Sequence, residues 1–277
     1  MALASRRNLL RCTLAFVIAA SAAVLAQRAR VRRAIDDETF KQLGIPDWKI
    51  DPHFKHDTFT FVRIIYRGFG GGGGWTTDYP DADVNFSYRL QQLTTLKVNP
   101  RPVQIRLTDP ELFDYPFIYM VEPGGLYFEE EEVKALRKYL TNGGFLMVDD
   151  FWGGDEYDNF HREIKRVFPD REVIELPLEH PIFHCVYDLK EKPQLPSVGY
   201  GSRGQRYEPR PGDDDGSVVH YRAILDDKGR IMVMICHNTD LGDGWEREGE
   251  NEYYFREFSE KAAYPMGINI VFYAMTH

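Results

Sequence analysis

Two adjacent aspartates, Asp149 and Asp150, close an apolar run at residues 145–148. Neighbouring side chains at a strand end point different ways, so one can cap the next helix while the other faces a crevice. Two carboxylates held close split their pKa values and can then serve as acid and base. His180, directly before Pro181, is a candidate base beside them. A second acidic cluster runs from His237 to Glu246 and contains Asp240, Asp243 and Trp245. Oxygen ligands spaced around glycines can wrap a hard cation such as calcium, although this spacing is not that of an EF-hand. A third stretch, residues 78–85, offers the same oxygens through Asp78, whereas Asp81 or Asp83 suits the cap of a following helix. Trp75, Trp152 and Trp245 lie in glycine-rich stretches. Aromatic faces in loops form platforms for sugars or flat ligands, or simply plug the domain surface.

Several familiar mechanisms are missing. No serine or cysteine stands in a G-x-S-x-G elbow, and no C-x-x-C supports a zinc cage. Gly68, Gly70 and Gly73 spell G-x-G-x-x-G, but the helix and the acid that a dinucleotide fold requires do not follow. No Gly-Lys-Ser/Thr occurs, which excludes a P-loop. The glycine string reads instead as a mobile loop over the site, with Gly70 and Gly72 as candidate ligand contacts. No motif demands a cofactor, and a divalent cation is compatible with the acids. A nicotinamide oxidoreductase is a distant alternative.

These residues need a frame, and the hydrophobic patterning describes one. Residues 59–66, 103–107, Phe117–Val121, 145–148 and 172–176 read as short apolar strands. Phe86, Leu90 and Leu93 fall at helical spacing, predicting an amphipathic helix over residues 83–97. Glu129 to Glu132 open the clearest helix, Arg137 and Lys138 close it, and Asn142-Gly143-Gly144 stops it. A further helix carries Phe160, Ile164, Val167 and Phe168, and a closing one runs from Glu252 toward Ala274. Strands alternating with helices imply parallel pairing with right-handed crossovers. Residues 218–225 and 230–236, joined by Asp226-Asp227-Lys228-Gly229, read as an added antiparallel hairpin. In such a sheet, ligands bind at the carboxyl ends of the strands. That places the site on the glycine string, on Glu122-Pro123-Gly124-Gly125 and on the loop after Asp149-Asp150.

The chain has 277 residues and a formal charge of −9, so phosphate backbones are repelled and nucleic acid is an unsuitable partner. Ser5-Arg6-Arg7-Asn8-Leu9-Leu10-Arg11 precedes an apolar run at residues 12–26, short for a membrane span. Residues 1–26 therefore read as a signal peptide of twin-arginine type, cut before Gln27, with the export machinery as a partner. The product would be periplasmic or secreted, and a retained membrane anchor is the alternative. Residues 27–57 read as a linker with a short helix near Glu38 to Leu43, and residues 58–277 as one α/β domain. Cys185 and Cys236 lie in apolar runs and read as buried free thiols, with one disulfide as the alternative.

From Phe59 onward the chain resembles the bacterial family called domain of unknown function 4159. Five segments carry the likeness: F-x-F-V-R-I-x-Y with its glycines, T-D-Y-P-x-A-D, L-x-x-G-G-F-L-M-V-D-D-F-W, L-P-x-x-H-P-I-F and N-x-D-L-G-D-G-W-E. The family is similar to the class I glutamine amidotransferase-like superfamily, which implies a flavodoxin-like sandwich with a mostly parallel sheet. In the glutaminase relatives a cysteine nucleophile follows the strand after a P-G-G loop and helix. Here Asp149-Asp150 stands in its place, so the resemblance implies the pocket but not the parent reaction. The leading expectation is an exported domain that binds a small-molecule or carbohydrate-like ligand in an accessory role. The alternative is a carboxylate-dependent, metal-assisted hydrolase.

Overall fold

The computed structural model describes residues 34–54, 57–68, 74–210 and 216–277. The expected signal segment, Gly70 and Gly72 lie outside these residues. Among the described residues nine strands form: β1 (Val62–Ile64), β2 (Arg67–Gly68), β3 (Val103–Ile105), β4 (Phe117–Val121), β5 (Leu126–Tyr127), β6 (Phe145–Asp149), β7 (Ile174–Glu175), β8 (His220–Leu225) and β9 (Ile231–His237). Seven make one sheet in the order β3-β1-β4-β6-β9-β8-β7, while β2 and β5 pair separately. The first five strands of that order are parallel, and the β8–β9 hairpin and β7 add antiparallel pairing at one edge. The predicted mostly parallel sheet with an added hairpin is thus present.

Each central strand is apolar on both faces, which is why it reads as a continuous hydrophobic run. Phe117, Tyr119, Val121, Phe145 and Met147 join one buried cluster, and Ile118, Met120, Leu146 and Val148 join another. The short helix α1 (Asp37–Gln42) precedes β1, and α2 (Asp81–Leu93) follows it. The first face is covered by α2 through Phe86 and Leu90, and by the closing helix through Met266 and Ile270. The second is covered by α3 (Glu130–Thr141) and α4 (Gly153–Val167) through Leu136, Leu140, Phe160 and Ile164. Helix α3 has the predicted ends: Glu129 and Glu132 form a capping box, and Gly143 takes a φ of 104° just beyond. Helix α5 (Leu241–Glu246) follows β9, and α6 (Tyr264–Thr276) ends the fold after a π-helical stretch at Phe255–Ala263.

Part of the stretch read as a linker packs on the domain. Ala34 bridges Val103 on β3, and α1 buries Phe40 beneath the Arg101 guanidinium, 3.7 Å from the ring centre. Arg101 also pairs with Asp37 and Asp47. Both described cysteines are free; Cys236 is buried in β9 and Cys185 is exposed. Among the described residues no helix is long and apolar enough to cross a membrane.

Candidate functional site

Taken alone, the parallel strands run second, first, third, fourth, fifth in chain order. Strand order therefore reverses between β1 and β4, and the crevice beyond their carboxyl ends is where such sheets bind ligands. Four of the five parallel strands deliver acids there. Asp78 follows β1, Glu122 follows β4, Asp149 and Asp150 end β6, and Asp240 follows β9 with Asp243 and Glu246 on α5. Four non-glycine residues at this rim have left-handed backbones: Asp78 (φ 60°), Glu122 (48°), Asp150 (56°) and Asn238 (60°). Aspartate and asparagine enter that region more readily than most residues, and glutamate does so rarely.

Arg63 fixes the loop that carries Asp78. It sits on β1 with no solvent exposure and forks onto both carboxylate oxygens of Asp83 on α2. Its remaining amine donates to the carbonyls of Trp75 (3.1 Å) and Thr77 (2.6 Å), one residue before Asp78. Burial pulls the guanidinium toward losing its proton, and the charge and hydrogen bonds of Asp83 more than reverse that.

Asp149 is wholly buried at the end of β6. Its Oδ2 accepts from the Tyr119 hydroxyl (3.2 Å) and from the Gly242 N–H (3.0 Å), while its Oδ1 meets no donor. Burial lifts its pKa to about 7, against those hydrogen bonds. Asp150 accepts from the Trp152 indole N–H at 3.1 Å. Burial raises it well above the ordinary carboxylate range, and the charges of Asp78, Glu122 and Asp149 push the same way. Asp240 caps α5 by accepting from the Asp243 N–H at 2.7 Å. Burial and the neighbouring Asp150 and Asp243 raise it strongly as well.

Oxygens of Asp78, Asp150 and Asp240 lie within 4.8 Å of one another, as do those of Asp78, Asp243 and Glu246. Two ligands on opposite sides of a calcium ion stand about 4.8 Å apart, so either group spans one cation. The two groups differ in charge balance. Arg247 already pairs with Asp243 and Glu246. Among the described residues, Asp78, Asp149, Asp150 and Asp240 have no ion pair. Moreover, Asp78 Oδ2 is shielded from solvent and accepts no hydrogen bond from the described residues. A buried carboxylate oxygen with neither donor nor counter-charge is costly unless something else meets it.

Residues 60–275 match the family model for a domain of unknown function, DUF4159. The chain belongs to that family. The DUF4159 match spans all nine strands and every acid of the rim, and the five resembling motifs fall within it or begin at its edge. No curated protein matches the chain.

Within this DUF4159 domain the predicted site residues separate into three sets. Asp78, Glu122, Asp149, Asp150, Asp240 and Asp243 converge on one rim. Trp152 supports them from below: it is buried, and its indole holds Asp150. Trp75 is partly exposed at the same rim, offering Arg63 its carbonyl. His180 and Trp245 are placed elsewhere. The His180 ring packs on Tyr273, which packs on Phe145, the first residue of β6. His180 therefore sits at the opposite end of the sheet, roughly 13 Å of strand away from Asp149. Trp245 is no platform; it is fully buried between Phe61, Phe86 and Tyr119. Asp83, expected as a cap, is the buried partner of Arg63. A cleft of about 640 Å³ opens at the far end, by Arg171, Lys228 and Arg230, with Arg171 and Arg230 paired to Asp227 and Asp226.

Sequence reasoning missed Arg63, Tyr119, Gly242 and Glu156, the α4 residue whose carboxylate accepts from the Trp152 N–H at 2.8 Å. Arg63 alone gave a signal, being a lone charge inside an apolar run. Gly242 matters by what it leaves out: a Cβ there would stand 2.6 Å from Asp78 Oδ2 and 3.0 Å from the Tyr119 hydroxyl. In an ordinary helix Gly→Ala stabilises by up to about 1 kcal/mol. At Gly242 the opposite is expected, a loss of about 1–3 kcal/mol in a thermal melt, because the methyl displaces the rim.

Proposed function

We propose that this chain is an exported, cation-dependent ligand-binding domain whose cation is held by Asp78, Asp150 and Asp240. The fold we assign it is a flavodoxin-like sandwich of the class I glutamine amidotransferase-like kind. The strand order and the position of the acids at the crevice support that reading. The single observation that carries the cation is Asp78 Oδ2, buried without a donor among carboxylates that have no counter-ion. An all-oxygen set suits calcium, magnesium or manganese rather than zinc or copper. Such an ion would polarise a bound carbonyl or phosphoryl oxygen and make a bound water more acidic.

Titrating the full chain with Mg²⁺, Ca²⁺ or Mn²⁺ is expected to raise its melting midpoint. A ligand at about a hundred times its Kd adds about 2.7 kcal/mol, or roughly 5–10 °C here. Asp78→Asn should abolish the rise. If none of the three ions moves the wild-type midpoint, the reading fails.

A second reading, hydrolysis, is favoured by Asp149. It lies behind the cation-binding acids with one free oxygen and a pKa of about 7, suited to holding or giving up a proton near neutrality. Thiol chemistry has no support: Cys236, on the strand beside β6, is fully buried, and that burial pushes its pKa well up. The N-terminal arginine pair and apolar run support export.

A further inference from the structure

Among the described residues, Arg247 at the rim is already paired with Asp243, Glu246 and Glu250, which leaves Arg210 as the cationic side chain available to a ligand. Glu208 is buried on the loop between the short helix Val198–Gly201 and β8, and its Oε1 accepts from the Ser197 N–H at 2.9 Å. Its Oε2 pairs with the Arg210 guanidinium at 3.2 Å. This loop leans on the site: a Cβ at Gly216 would stand 2.5 Å from the Glu208 carbonyl and 3.1 Å from the Trp152 ring, whose indole holds Asp150. The charge of Arg210 is felt by Glu122 and Glu156, the acids beyond β4 and on α4. Among the described residues Arg210 pairs with Glu208 and with neither of these two. Its Nε is shielded from solvent and meets no acceptor among the described residues.

A guanidinium fork with an unspent donor is shaped for a planar or tetrahedral oxyanion. Arg63 and Arg247 cannot serve, because Asp83 and two carbonyls occupy the first and Asp243, Glu246 and Glu250 the second. We infer that the ligand carries an anionic oxygen group, a phosphate or a carboxylate, that bridges the bound cation and Arg210. This rests on the cation reading above and names its ligand class. It also explains why the rim needs both a cation and an arginine. Without them, an anion would approach at least six carboxylates, Asp78, Glu122, Asp149, Asp150, Glu156 and Asp240, and be repelled. A neutral sugar is less suited, since Trp152 at the rim is buried and Trp245 lies in the core, so neither presents an open face.

The test is a calorimetric titration of the full chain with inorganic phosphate, acetate and methyl glucoside, each with and without saturating Mg²⁺. Phosphate or acetate is expected to bind in the presence of Mg²⁺, and the two arms tell which oxyanion is preferred. Arg210→Gln should weaken that binding at least tenfold, and Arg210→Lys should recover part of it by restoring charge without the fork. Circular dichroism checks that both variants fold. Mg²⁺ affinity, measured separately in the same variants, should not fall. Binding of the glucoside alone overturns the inference, as does anion affinity that ignores Arg210. Anion binding through Arg210 without any Mg²⁺ affinity would keep the anionic ligand class but sink the cation reading and the bridge with it. Mg²⁺ binding with no anion binding would do the reverse.

Discussion

Arg63→Met will cost the fold about 3–5 kcal/mol and lower the melting midpoint by roughly 10 °C. Breaking one member of a buried ion pair leaves the other charge uncompensated, and that residual charge sets the cost. Here the remainder is larger than Asp83 alone. The carbonyls of Trp75 and Thr77 also lose their donor, and they belong to the segment that holds Asp78 in place. Two measurements follow from that arrangement. Arg63→Met/Asp83→Leu should recover part of the stability, since it removes the stranded carboxylate. It should not recover cation binding, since the Trp75–Thr77 carbonyls stay unheld and Asp78 drifts. Recovery of both would mean that Arg63 braces the core without placing the site.

Asp149→Asn is expected to stabilise the cation-free protein at pH 8 and to bring a much smaller gain at pH 5. The sign follows from where the proton goes. In the unfolded chain Asp149 titrates near its ordinary value of 3.8, and in the folded chain near about 7. Between those values the folded state holds a proton that the unfolded state has released, so stability falls as pH rises. The contribution is fully present below about pH 4 and is lost by the time pH passes 7. A shift of about three pKa units corresponds to about 4 kcal/mol. Melting curves from pH 4 to pH 8 should therefore slope downward for the wild type, and less steeply for the variant. Asp78, Asp150 and Asp240 are raised in the same direction by burial and mutual repulsion, which steepens the wild-type slope. A saturating divalent cation should flatten it by stabilising the ionised forms. Identical slopes for wild type and variant would mean that Asp149 is no harder to ionise in the fold than outside it.

Much of the frame was legible because it rests on periodicity. The apolar runs ending at Val121 and Asp149, and the amphipathic spacing of Phe86, Leu90 and Phe160, gave the parallel strands and their helices directly. The carboxyl-end rule then turned strand ends into site residues, and Asp78, Glu122, Asp149 and Asp150 all landed on the rim. What failed depended on information that spacing does not hold. His180 follows β7, whose two residues pair only with the antiparallel β8, so local pattern does not say which end of the sheet the chain then visits. Trp245 was read as a loop residue because glycines surround it. Asp240, however, caps a six-residue helix there and turns the indole into the core. The Arg63–Asp83 pair joins a strand to a helix 20 residues on, and only packing brings such partners together.

The four left-handed residues at the rim have a consequence for selectivity. Their torsions aim the side chains before any ligand arrives, and three of the four are held by hydrogen bonds of their own. Asp150 hangs from the Trp152 indole, Glu122 from the Gly74 N–H, and Asn238 from the Gly153 N–H. A mouth fixed in this way cannot close down on a small ion or spread for a large one. Mg²⁺ and Ca²⁺ differ by about 0.4 Å in their bonds to oxygen. They carry equal charge, so this protein would tell them apart by diameter, with the backbone as the gauge.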